Sequence, residues 1–156
     1  MIKFHFYNPL WYEVFAHIIC FKTNSDYSHC VMYIRGLEEP VYQSRLHTGL
    51  NKYKTIHRTP NFTINMPFDK DSDKGKFFIK HMDSLVGSKY GIIAALFSFF
   101  GRKIQNDNEY ICSRCIYQYF PFYLGKEPKL KTSYSPKDII LMSFGNEIDE
   151  DEDEEL

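Results

Sequence analysis

Apolar and polar residues alternate from Ile2 to Tyr7, which predicts a short first strand. From Leu10 to Phe21 the period changes. Leu10, Trp11, Val14, Phe15, Ile18 and Ile19 fall at the spacing of an amphipathic helix, and Thr23-Asn24-Ser25-Asp26 follows with turn formers. Ser28 to Ile34 is rich in β-formers and apolar on both faces, as a central strand would be. A turn at Gly36 leads to a second strand around Val41-Tyr42-Gln43-Ser44. Further pairing is expected at Gly49 and Lys52 to Thr55, and Asn61 to Met66 predicts another strand, ended by Pro67.

The second half reads differently. Asp73 to Val86 carries apolar residues at helical spacing, with acids at its start where the peptide dipoles favour them. Gly87 and Gly91 bracket a break, Ile92 to Phe100 predicts a buried helix, and Gly101 to Glu109 is a polar loop. Helical patterning resumes from Cys112 to Tyr119 and is interrupted near Pro121. Ser135-Pro136 reads as an N-cap followed by proline at the first helical position. No repeat is visible. Strands first and helices after predict an α+β domain over residues 1–146, with an antiparallel sheet packed against helices. Residues 147–156 carry no core positions and read as a disordered acidic tail.

Composition changes this picture little. A chain of 156 residues with 44% hydrophobic and 17% aromatic content suits one packed domain. Nineteen basic residues nearly balance twenty acidic ones, so no nucleic-acid or anionic-membrane partner is expected from net charge. Eight of those acids lie between Glu147 and Leu156, leaving the body moderately basic. The longest apolar stretch falls far below the roughly 20 residues that span a bilayer. No secretory signal is evident at Met1, so four reduced cysteines in a cytoplasmic protein are the expectation.

Those cysteines and the histidines are the candidate chemistry. Cys112 stands where a helical pattern begins, and a thiol in a first helical turn meets free N–H groups that favour the reactive thiolate. The same N–H groups could hold an oxyanion. Position alone fits a small core residue better than a nucleophile. Cys112-Ser-Arg-Cys115 spells C-x-x-C, but no second ligand pair exists for zinc, and Cys115 reads as a core neighbour. His29 is placed as a general base, with a structural core histidine as the alternative reading. Gln43, on the next strand, could reach its other ring nitrogen and orient it. His5, His17, His47, His57 and His81 lack supporting partners in sequence.

Asp26-Tyr27-Ser28-His29-Cys30-Val31-Met32-Tyr33-Ile34 resembles the histidine strand of the circularly permuted NlpC/P60 papain-like hydrolases, the group of YiiX- and YaeF-like proteins. Val41-Tyr42-Gln43-Ser44, Gly87-Ser88-Lys89-Tyr90, Tyr110-Ile111-Cys112-Ser113 and Ser135-Pro136-Lys137-Asp138 continue the resemblance in order, over about residues 10 to 142. Val31 stands where the family often has glycine, and Gln43 where it commonly has an acid or a histidine. The resemblance implies a Cys112 nucleophile, a His29 base and Gln43 as orienting residue, with Tyr110 and Ser113 at the oxyanion or substrate cleft. It implies no cofactor and no metal. Substrates would be stem-peptide or other amides, or acyl lipids. Two other functions stand beside this one: lipid acyl transfer by the same pair, and a non-catalytic module whose acidic tail engages a partner. Compact size, many aromatics and many lysines would suit a phage or small mobile element, placing the protein in a virion or host cell.

Overall fold

The computed structural model describes residues 1–11, 13–22, 24–45, 47–56, 58–90, 112–125 and 135–145. Five strands form one antiparallel sheet: β1 (Ile2–Tyr7), β2 (His29–Ile34), β3 (Val41–Arg45), β4 (Gly49–Tyr53) and β5 (Phe62–Met66). Their order is β4-β3-β2-β1-β5. The helices among the described residues are α1 (Val14–Lys22), α2 (Asp73–Leu85), α3 (Cys112–Tyr117) and α4 (Pro136–Ser143), with a π-helical turn at Phe120–Leu124. The α+β architecture read from the pattern is therefore observed, with an antiparallel sheet and a helical layer.

Alternation sorts the strand residues onto two faces. Phe4 stands opposite Met32 on β2 and Ile64 on β5. These residues join Ile2, Phe6, Cys30, Ile34 and Tyr42 in one buried cluster with Phe78, Met82, Cys112, Ile116, Tyr119 and Ile139 from the helical layer. The aromatic ring of Tyr119 meets Phe4 edge-on at 5.4 Å, and its hydroxyl donates to the carbonyl of Pro67. Tyr7, Val31 and Val41 form a second, smaller cluster with Tyr33, Tyr53 and Ile56.

Two glycines are required by their surroundings. Gly49 closes the three-residue β3–β4 connection at φ +64°, and a Cβ there would lie 2.0 Å from the Ser88 carbonyl oxygen. That closeness lets Leu50 N–H donate to Ser88 O at 2.9 Å and Gly87 N–H to Leu50 O at 2.8 Å. Gly75 packs in the same way against the Asp69 carbonyl, 1.9 Å from where its Cβ would be. Tyr42, fully buried, donates from its hydroxyl to Asp83 Oδ1 on α2 at 2.6 Å, and Lys52 Nζ pairs with the same oxygen at 3.0 Å.

Helix α4 begins as its sequence predicts. Ser135 Oγ accepts from Asp138 N–H at 3.2 Å, and Ser135 N–H donates to Asp138 Oδ2 at 2.6 Å, a reciprocal capping box. Two helices differ from expectation. Helix α1 starts at Val14 rather than Leu10, because Leu10 N–H donates to Glu13 Oε2 at 2.6 Å in a turn that precedes it. Val14 and Phe21 on it, and Trp11 just before it, are 68%, 83% and 87% exposed. Helix α3 ends at Tyr117, and the chain passes Pro121 in the π-helical turn. The expected Ile92–Phe100 helix, the 101–109 loop and the 147–156 tail lie outside the described residues.

Candidate active site

His29 is the first residue of β2, paired across the sheet with Tyr7 at the end of β1. Its entry is held by Ser28 N–H donating to Tyr7 O at 3.1 Å, and by the Ser25 hydroxyl bridging to Tyr27. The imidazole lies 6.0 Å from the Tyr7 ring. Gln43, in the middle of β3, places Nε2 at 2.6 Å from His29 Nε2. Behind it, Arg45 Nη2 donates to Gln43 Oε1 at 2.8 Å, and the Arg45 guanidinium lies 4.3 Å above the Tyr53 ring. Gln43 and Arg45 are two apart on one strand, so the pleat brings them to the same face.

Cys112 opens α3 and is 6% exposed. The helix packs on β2 and β3, over the face that carries Cys30 and Tyr42. Cys112 is hydrogen-bonded by the Cys30 thiol, the His29 ring and the Cys30 backbone. The Cys30 thiol is the leading cause that holds Cys112 well below the ordinary thiol range, against the opposing effect of burial. The His29 ring, through charge and hydrogen bond, and the Cys30 backbone N–H add to the lowering. Its neighbours answer in the opposite sense. Burial, then the hydrogen bond and charge of Cys112, push Cys30 far up. Burial and the charge of Cys112 also raise Cys115, and burial with the charges of Cys112 and Cys30 raises Tyr90. Of these groups Cys112 alone is pushed toward the thiolate, while Cys30, Cys115 and Tyr90 are pushed toward their protonated forms.

The residues singled out in the sequence thus fall as follows. Cys112, His29 and Gln43 are brought together in a continuous row. Ser113 is buried at 1% exposure in the helix–sheet layer, and Tyr110 lies outside the described residues. Cys115 is core, at 1% exposure. Among the other histidines, His5 Nδ1 is 2.8 Å from Thr63 Oγ1, and His17 Nε2 is 3.1 Å from the Leu10 carbonyl. His81, expected in polar surroundings without a partner, instead stacks on Phe122 at 3.7 Å and reaches Gln118 Oε1 at 3.2 Å. His47 is exposed, and His57 lies outside the described residues.

Two members of the site were not found from the sequence. Cys30 sits beside His29 in the chain, and alternation sends it to the opposite face. That face is the one α3 covers, so the signal was present in the strand periodicity. Arg45 carried a weaker signal, its place two residues after Gln43 on the same strand. Among the described residues no group of three or more His, Cys, Asp or Glu side chains could hold a metal ion. A buried thiol whose surroundings favour the thiolate, beside an imidazole, is the arrangement a nucleophile with a proton-transfer partner needs. Neither a family model nor a characterised protein nor a solved structure matches the chain.

Proposed function

We propose that the protein is a cysteine hydrolase of amidase or peptidase type, built as a circularly permuted papain-like domain. The observation that carries this reading is the depressed Cys112 thiol hydrogen-bonded to His29, whose second ring nitrogen is bound by Gln43. In this reading the Cys112 thiolate attacks the carbonyl carbon of an amide or ester, and the carbonyl electrons move onto oxygen. The carbon–nitrogen or carbon–oxygen bond then breaks, and the leaving group takes its proton from the imidazolium form of His29, which leaves the ring neutral. Water, losing its proton to His29, cleaves the thioester and returns Cys112 as thiolate. The Cys112 backbone N–H serves the oxyanion. Stem-peptide and similar amides are the substrate class that follows from the resemblance to the permuted NlpC/P60 hydrolases.

Labelling by a thiol-reactive acyl probe tests the assignment. Wild-type protein takes up the label, Cys112→Ala does not, and both give the same circular dichroism. Labelling that persists in Cys112→Ala sinks the reading.

One observation favours acyl transfer from lipid as a second reading. Helix α1 lies in the connection between the end of β1 and His29, and that connection presents Trp11, Val14 and Phe21 to solvent. An exposed apolar row at the end of the sheet that bears the site suits an amphiphilic substrate. Incubation with labelled phospholipid separates the two: an acyl-thioester and a transacylated product mark transfer, and peptide cleavage without them marks hydrolysis. No described helix is long and apolar enough to cross a membrane.

A further inference from the structure

Gln43 binds both its neighbours through one planar amide, and only one assignment of that amide satisfies both. Arg45 Nη2 carries only donor hydrogens, so the atom it meets at 2.8 Å must be the carbonyl oxygen Oε1. The amide nitrogen then faces His29 Nε2 at 2.6 Å and donates to it. An accepting Nε2 carries no proton. The single proton of a neutral ring must sit on Nδ1, the nitrogen left for Cys112 once Nε2 is taken. Arg45 is itself held from behind by the Tyr53 ring at 4.3 Å, and Asn51, opposite Gln43 on β4, turns its side chain to the Thr48 carbonyl instead.

We infer that Arg45 is a positioning residue which, through Gln43, holds neutral His29 in the Nδ1–H form, so that the neutral ring donates to Cys112 rather than accepting from it. The arrangement is the reverse of an orienting residue that accepts from Nε2–H. If His29 gains a second proton, the new Nε2–H faces an amide N–H. The Gln43 amide must then turn and give up Arg45. The groups that face His29 are Tyr7 from β1, with Arg58 above the Tyr7 ring at 5.6 Å, Gln43 and Arg45 from β3, and Cys112 from α3. No carboxylate is among them in the described residues. The consequence for chemistry rests on the reading of Cys112 as nucleophile: the neutral ring donates to the thiolate, and it serves a leaving group only after it takes a second proton from solvent and the amide turns. The tautomer itself does not depend on that reading.

Nitrogen-15 NMR of histidine-labelled full-length protein, with His29 assigned by a His29→Gln variant, reads the tautomer directly. Wild-type His29 should show a protonated Nδ1 and a bare Nε2 wherever the ring is neutral. Arg45→Ala frees the amide to turn, and the proton should move largely to Nε2. Gln43→Glu keeps an oxygen for Arg45 and offers a second one to His29, so it too should move the proton to Nε2. It also stands in if Arg45→Ala fails to fold. A wild-type ring protonated on Nε2 overturns the inference, as does a folded variant of either kind with the wild-type tautomer. Loss of acyl labelling in wild type would remove the catalytic reading and leave these signatures in place.

Discussion

The Cys30 thiol donates to the Cys112 sulfur, and this bond is the leading cause of the depressed Cys112 thiol. The two residues come from different elements, β2 and α3, and both are buried. A neighbour that is pushed up while Cys112 is pushed down keeps its own proton, and so remains a donor wherever Cys112 is ionised.

Cys30→Ala removes that donor and moves the Cys112 thiol back toward its ordinary range. Alkylation of Cys112 by iodoacetamide near neutral pH should slow about tenfold, the equivalent of one pH unit in the midpoint of its rate profile. An unchanged profile in a folded Cys30→Ala protein would show that His29 alone sustains the thiolate.

Tyr7 gives a pH dependence of stability. Burial is the larger influence on its hydroxyl, opposed by the Arg58 charge, and it is pushed up to about 12 from 10.0. A raised folded value means the contribution is fully present below pH 10.0 and is lost as pH rises toward about 12. Among the described residues the buried hydroxyl has no hydrogen-bond partner. Tyr7→Phe should therefore raise stability by about 1 kcal/mol at neutral pH, through removal of an unsatisfied polar group. It should also flatten the alkaline limb in urea titrations across this window. A destabilised Tyr7→Phe at neutral pH would contradict this account.

Gly49→Ala should be the most damaging single methyl in the β3–β4 hairpin. The new Cβ meets the Ser88 carbonyl at 2.0 Å and occupies a left-handed backbone position. A loss of about 2–3 kcal/mol is expected from the strained backbone and the broken Leu50–Ser88 pairing. Thermal unfolding with a midpoint matching wild type would exclude this close approach.

Asp83→Ala strands the buried Tyr42 hydroxyl and frees Lys52. The expected cost is about 1–3 kcal/mol, most of it from the unpartnered hydroxyl. Adding Tyr42→Phe should recover part of the loss, so the double variant is the decisive measurement. Full additivity of the two changes would mean the hydroxyl and the carboxylate do not interact.

Much of this fold was legible because strand periodicity is a local property. His29 to Ile34, Val41 to Arg45 and Phe62 to Met66 lie within a residue or two of the stretches that alternation and β-forming residues predict. The Ser135 capping box was legible for the same reason, since its two bonds span three residues. Helix α1 shows the limit. The spacing of Trp11, Val14 and Ile18 is identical whether the face is covered or open, so periodicity alone suggests a core-facing stripe where the structure leaves these side chains exposed. The row from Cys112 to His29 and Gln43 was readable from residue types and their order. Cys30 and Arg45 were not, because their parts depend on which face a later helix covers and on the orientation of one amide.

More than half the chain's length lies between Cys30 and Cys112. The depressed thiol therefore exists only after a long loop has closed, which is among the slower and entropically costlier events available to a domain of this size. A growing chain that has made β2 has none of this reactivity until α3 docks on it. The rate at which Cys112 reacts with a small alkylating agent is thus a clock for the docking of α3 on β2, and a population gauge for its undocking.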